Sequence, residues 1–179
     1  MRQAQSIVLI ISSIIILMGL QSYLETNANP YVLRIIVNCG IASILAVSLN
    51  LINGCAGQFS LGHAGFMAVG AYTSSLLTTV FHIAYFQTIL GSQSAILLGG
   101  LVTAFVGYLV ALPSLRLRGD YLAIVTLGFG EMIRVVLLNI ELVGGARGLP
   151  GIPSHSNFFW TYFWLLIALL FISRLTTGL

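Results

Sequence analysis

Lysine is absent from this sequence, and its seven basic residues are all arginine. A Walker A phosphate loop needs a lysine on the β/γ-phosphates, so this chain cannot carry one. Any use of ATP falls to a partner. Charge of either sign is scarce too: Asp, Glu, Lys and Arg make up only 6% of the 179 residues, against about 25% in soluble domains. That is too little to coat a water-facing surface. With 58% hydrophobic residues and a mean hydropathy of +1.04, the composition is that of a membrane protein.

Other absences narrow the class further. The formal charge of +3 and a pI near 9.1 would suit nucleic acid. However, the arginines at 2, 34, 116, 118, 134, 147 and 174 form no run or patch, so no nucleic-acid partner is expected. Cys39 and Cys55 are too few and too far apart for a zinc pattern or a disulfide framework. They are expected to be small buried residues.

What is present is a series of apolar runs. A helix needs about 20 apolar residues to cross the hydrocarbon core. On that basis spans are expected near 6–24, 34–52, 63–81, 94–112, 121–139 and 157–174. The fold class is therefore all-α, a polytopic transmembrane bundle of about six spans in one domain. The first run follows Arg2 like a signal peptide, but it is long and lacks a small-residue cleavage site, so it is expected to remain as a span. With the N-terminus inside, Arg2, Arg116, Arg118 and Arg174 fall on the cytoplasmic side and Arg34 and Arg147 outside. The bias rests mainly on the loop "SLRLRGD", where Asp120 sits well for a helix N-terminus. The fourth span carries Gly100, Ala104, Gly107 and Ala111 at spacings of three and four. Small residues on one face let helix backbones approach closely, so these are expected to pack against a neighbour.

Two places carry polar groups that lipid would penalise. In "YLAIVTLGFGEMIRVVLLN", Glu131 and Arg134 stand three apart, close enough to pair on one helix face. An ionisable group at mid-membrane depth costs at least ~2.5–3.5 kcal/mol on insertion scales, so it normally faces a bundle interior or a water-filled path. The pair either lines a translocation path, with Gly128 and Gly130 loosening the helix beside it, or locks helix packing. The second place is "LINGCAGQFSLGHAGF", which breaks apolar character between spans two and three with Asn53-Gly54 and Gly57. Non-helical backbone near a membrane must be buried in protein or line a cavity, and transporters use such breaks as substrate sites. Gln58, Ser60 and His63 lie here, with Ser60 placed as a candidate N-cap. His63 serves either a structural hydrogen bond or the path itself.

Catalysis finds no support in these residues. Ser60 and His63 are neighbours, but there is no G-x-S-x-G elbow and no acid to orient the histidine. His63 also lacks a second ligand at useful spacing, so no metal site is expected. His82 and His155 read as solvated loop residues. "VGGARGLPGIP", from Val143 to Pro153, reads as a tight external loop with little helix, in which Arg147 either meets an anionic partner or simply sits on a connector.

Three segments together, "SLNLINGCAGQFSLGHAGFMAVGAY", "LRLRGDYLAIVTLGFGEMIRVVLLN" and "GGARGLPGIP", resemble the permease subunits of bacterial branched-chain amino acid ABC importers, the LivM type. The resemblance runs in order from about Leu45 to Leu175. It implies a multi-pass inner-membrane subunit that works with a second, related permease, two ATP-binding subunits and a periplasmic or lipid-anchored binding protein, embedded in membrane lipid. Its implied substrates are leucine, isoleucine and valine. ATP and Mg would be bound by the ATPase partners, with no cofactor in this chain. Urea-type relatives tend to carry Gln where this chain has His63, which favours the amino-acid reading. Family members continue beyond the "ISRL" stretch with a cytoplasmic coupling segment and more spans, so this sequence is expected to be the N-terminal part of such a permease. The rivals are a urea-type or other small-solute importer, an ion-gradient-driven transporter, an intramembrane protease and a non-transporting assembly protein.

Overall fold

The computed structural model describes residues 2–80, 84–114, 117, 119–152 and 158–178. Among these residues six long helices follow in chain order: α1 (Arg2–Asn27), α2 (Pro30–Asn50), α3 (His63–Thr79), α4 (Ile89–Ser114), α5 (Asp120–Asn139) and α6 (Phe158–Gly178). There is no strand among the described residues. Among the described residues four segments are long and apolar enough to cross a membrane, Pro30–Cys55, Ile89–Ser114, Tyr121–Asn139 and Phe158–Thr176. α1 contributes a shorter apolar helix, Ser12–Leu24, and α3 is 17 residues long.

Local chemistry sets several of the helix starts. α2 begins at a proline, whose missing N–H costs nothing at the first helical position. Ahead of it, Asn29 Oδ1 accepts the Tyr31 N–H at 3.1 Å as an N-cap. α4 is capped from Thr88, whose Oγ1 accepts the Gly91 N–H at 3.1 Å. α2 does not stop cleanly. It widens into a π-helical turn at Leu51–Cys55, centred on the Asn53-Gly54 pair. Such wide turns are rare and concentrate at functional sites.

The chain divides into two compact units, 1–51 with 156–179, and 52–155. In the first, α6 packs on α2 and α1. Tyr162 donates its hydroxyl to the Ile36 carbonyl at 3.1 Å, and Gln21 Oε1 accepts the Phe159 N–H at 3.2 Å. The aromatic start of α6 packs on itself, with Phe158 and Tyr162 ring centres 4.5 Å apart. Cys39, on α2, is a free, exposed thiol rather than a buried one, because α2 meets few neighbours and leaves most of its surface open.

The second unit holds α3 against both α4 and α5. Its hydroxyls turn back onto their own helix: Thr73 donates to the Val69 carbonyl at 2.7 Å and Thr79 to the Ser75 carbonyl at 2.7 Å. A helix can thereby carry polar side chains in lipid without outside partners. The close approach of α4 lies one residue away from the stripe expected at Gly100, Ala104, Gly107 and Ala111. Gly91, Ala95 and Gly99 are buried, while Gly100 and Ala104 are exposed. A Cβ on Gly99 would lie 2.7 Å from the Gly70 carbonyl oxygen, whereas one on Gly100 would meet nothing within 4 Å. The reason is that Gly70 and Ser74 of α3 lie against Gly99, while Gly91 abuts the backbone of Tyr85 and Phe86. Gly107 only grazes Phe66, at 4.0 Å, and Ala111 is half-buried. Cys55, in the π turn, is likewise free and exposed.

Candidate functional site

The second unit carries a short non-helical stretch, 56–62, between the π turn and α3. Three of its backbone amides are held by protein acceptors. The Gln58 N–H donates to the Ile52 carbonyl at 3.1 Å. The Ser60 N–H donates to Asn53 Oδ1 at 3.2 Å, and the Leu61 N–H to Thr126 Oγ1 at 3.1 Å. Thr126 is buried on α5, and its hydroxyl in turn donates to the Ala123 carbonyl at 3.0 Å. The stretch is thus stitched to the π turn on one side and to α5 on the other. This is how irregular backbone is tolerated where lipid offers no hydrogen bonds.

Glycine makes the α3–α5 contact possible. Gly62 presses directly on the Thr126 carbonyl, and a Cβ on Gly65 would lie 2.8 Å from the Gly130 Cα. α3 starts at His63, so the cap position falls to Gly62, which offers no side-chain cap. Ser60 is therefore not the N-cap expected for this helix: it lies two residues upstream, with its own amide held by Asn53. The first turn instead closes on the Gly62 carbonyl, which accepts from Gly65 and Phe66.

Gln58 is exposed, while Ser60 and His63 are half-buried. Glu131 and Arg134 do pair, with Arg134 Nη1 3.2 Å from Glu131 Oε2. Both are well exposed on this chain, at 58% and 69%. They stand off the stripe of Leu122, Thr126, Gly130, Ile133 and Leu137 that α5 turns inward. α5 runs unbroken from Asp120 to Asn139, so Gly128 and Gly130 do not interrupt it. Gly130 serves packing, and Gly128 meets nothing. Asp120 opens the helix after Gly119. Arg116 and Arg118 of the loop, with His82 and His155, lie outside the described residues.

Asn53 and Thr126 were not among the residues that the sequence singled out as a site. Asn53 was legible only as a turn former. Thr126, the one threonine in an apolar span and four residues before Gly130, gave the one signal that could have found it. Further along α3 and α5 lies an apolar cleft of about 420 Å³ between them, lined by Val69, Tyr72, Leu76, Phe129, Met132 and Val136 among others. Among the described residues no three His, Cys, Asp or Glu side chains come together to hold a metal.

The profile of the family described as branched-chain amino acid transport system / permease component matches residues 31–177. The chain is 47% identical over 116 residues to the high-affinity branched-chain amino acid transport system permease protein LivM of Salmonella typhimurium. It is 46% identical over 116 residues to the protein of the same description from Escherichia coli. Each match takes in 64% of this chain and 26% of the relative, so the chain covers about a quarter of the length of the curated relatives it matches. No solved structure matches. The apolar helices and these relatives make the chain a multi-pass protein of the bacterial inner membrane.

Proposed function

Because the chain belongs to the permease-component family of branched-chain amino acid transport systems, we propose that it forms part of the membrane path of an ATP-driven importer of leucine, isoleucine and valine. The observation that carries this is the match over 31–177, which takes in the 56–62 stretch and the Glu131/Arg134 face. All of it is taken as one transmembrane permease domain of about six spans, the Gly-rich break between spans two and three being the place where a polar solute is met.

The mechanism asked of these residues is passage, not bond-making. A zwitterionic amino acid needs polar groups at membrane depth, and Gln58, Ser60 and His63 supply them at a helix break. Glu131 and Arg134 are exposed on this chain, yet an ion pair at that depth is shielded from lipid in an assembled protein. That combination supports a place for their face on a water-filled path or against a second, related permease. Having no lysine, the chain makes no phosphate loop. ATP and Mg are assigned to two partner ATPase subunits, and substrate choice mostly to a periplasmic or lipid-anchored binding protein.

The test is uptake. Disrupting the gene in its native host should abolish the ATP-dependent, high-affinity component of radiolabelled leucine uptake and leave urea uptake intact. Loss of urea uptake instead would assign the chain to a small-solute importer. Leucine uptake that persists without ATP and collapses with a protonophore would point to an ion-gradient transporter.

A further inference from the structure

We propose that Asn53 and Thr126 are positioning residues: a two-point clamp that fixes the polar 56–62 stretch in register with α5. The proposal rests on the transport reading above for its consequence, but not for its geometry.

Consecutive amides of the stretch, those of Ser60 and Leu61, donate to side chains from different elements. One goes to Asn53 Oδ1 at 3.2 Å in the π turn, the other to Thr126 Oγ1 at 3.1 Å on α5. Side-chain acceptors are needed because extended backbone here has no helical or strand partner. The Thr126 hydroxyl is aimed by its own bond to the Ala123 carbonyl at 3.0 Å, which leaves its oxygen lone pairs for Leu61. Directly after, Gly62 lies on the Thr126 carbonyl and Gly130 comes within 3.3 Å of Gly62 Cα when given a Cβ. Glycine surfaces are smooth and allow sliding, so the glycine contact alone sets distance but not register. The two hydrogen bonds set register. They fix the α3 entry at the level of Thr126, five residues before Glu131. Both of these amides are occupied, so neither is a donor for a solute, and the side chains of Gln58, Ser60 and His63 are placed by the same two bonds.

The experiment uses the full native polypeptide assembled with its partners in proteoliposomes. Thr126→Val keeps the shape and removes the acceptor, Thr126→Ser keeps the acceptor, and Asn53→Asp keeps an acceptor oxygen. Two quantities are read: hydrogen exchange at the 60–62 amides and the kinetics of leucine uptake. With Thr126→Val we expect exchange at Leu61 to rise about tenfold, the scale of one lost hydrogen bond. Maximal uptake rate should fall several-fold with the half-saturating concentration unchanged, because the binding protein sets it. Thr126→Ser and Asn53→Asp, which keep their acceptor oxygens, should leave both quantities as in the native protein. Unchanged exchange at Leu61 in Thr126→Val overturns the clamp. Faster exchange with undiminished uptake overturns its positioning role. A wild-type assembly that takes up no leucine overturns the transport reading instead, and the exchange rates still decide the clamp.

Discussion

Gly65 of α3 and Gly130 of α5 meet backbone to backbone: a methyl group on Gly65 would sit 2.8 Å from the Gly130 Cα and 3.2 Å from its carbonyl oxygen. Neither obstacle is a side chain that can swing away. Gly65→Ala should therefore destabilise the second unit by about 1–3 kcal/mol, the usual range for overpacking. Gly128, two residues from Gly130, has nothing within 4 Å. Gly128→Ala should be neutral or stabilise by up to about 1 kcal/mol through helix propensity. Thermal unfolding of the full protein in detergent separates the two, and equal effects would contradict this account of the contact.

The α3–α4 contact makes the same argument one helix over. Gly99→Ala would drive a methyl group to 2.7 Å from the Gly70 carbonyl oxygen, while Gly100→Ala meets open space. The first should cost about 1–3 kcal/mol and the second little. Resistance of the detergent-solubilised protein to proteolysis is a sufficient readout. A more harmful Gly100→Ala would mean that the exposed stripe, Gly100 with Ala104, is itself covered in the full protein.

These glycines show where sequence alone runs out. The helices, their apolar character and the polar stretch between α2 and α3 follow from runs of Leu, Ile and Val and from Asn53-Gly54. α4, however, carries two stripes of small residues side by side, Gly91/Ala95/Gly99 and Gly100/Ala104/Gly107. A span that is apolar all round has no polar face to say which stripe turns inward. Only the neighbour decides, and here it is Gly70. The same holds for Thr126: its acceptor role depends on a chain segment 65 residues away. The Glu131/Arg134 pair was legible because i,i+3 spacing is local, but its exposure was not.

For that pair, removing one partner should be worse than removing both. At the centre of a span an unpaired Arg costs about 2.5–3.5 kcal/mol on insertion scales. Glu131→Gln should lower the amount of protein in the membrane and the leucine uptake together. The double variant Glu131→Gln/Arg134→Gln should recover the amount. If uptake per molecule stays low in the double variant, the charges serve the path; full recovery of uptake would reduce them to packing. Immunoblots of membranes alongside transport assays provide both readings.

The turn after α5 offers a test at the edge of the unit. Gly144 has φ of +77° and abuts the Gly148 carbonyl, so a side chain there meets both a disfavoured backbone conformation and a backbone atom. Just before it, Val143 is 2% exposed and lines the apolar cleft between α3 and α5. The tight turn therefore holds Val143 in place. Gly144→Ala should cost at least about 1–2 kcal/mol, the penalty of left-handed backbone for a residue with a Cβ. Two residues on, Ala146 is exposed, and Ala146→Ser should change nothing measurable. Hydrogen exchange over 140–148 should rise in the first variant and not in the second. Because Val143 would be released along with the turn, exchange in the adjacent part of α5, near Val136 and Leu137, should rise with it. A rise confined to the turn would mean that Val143 seals the cleft without help from Gly144.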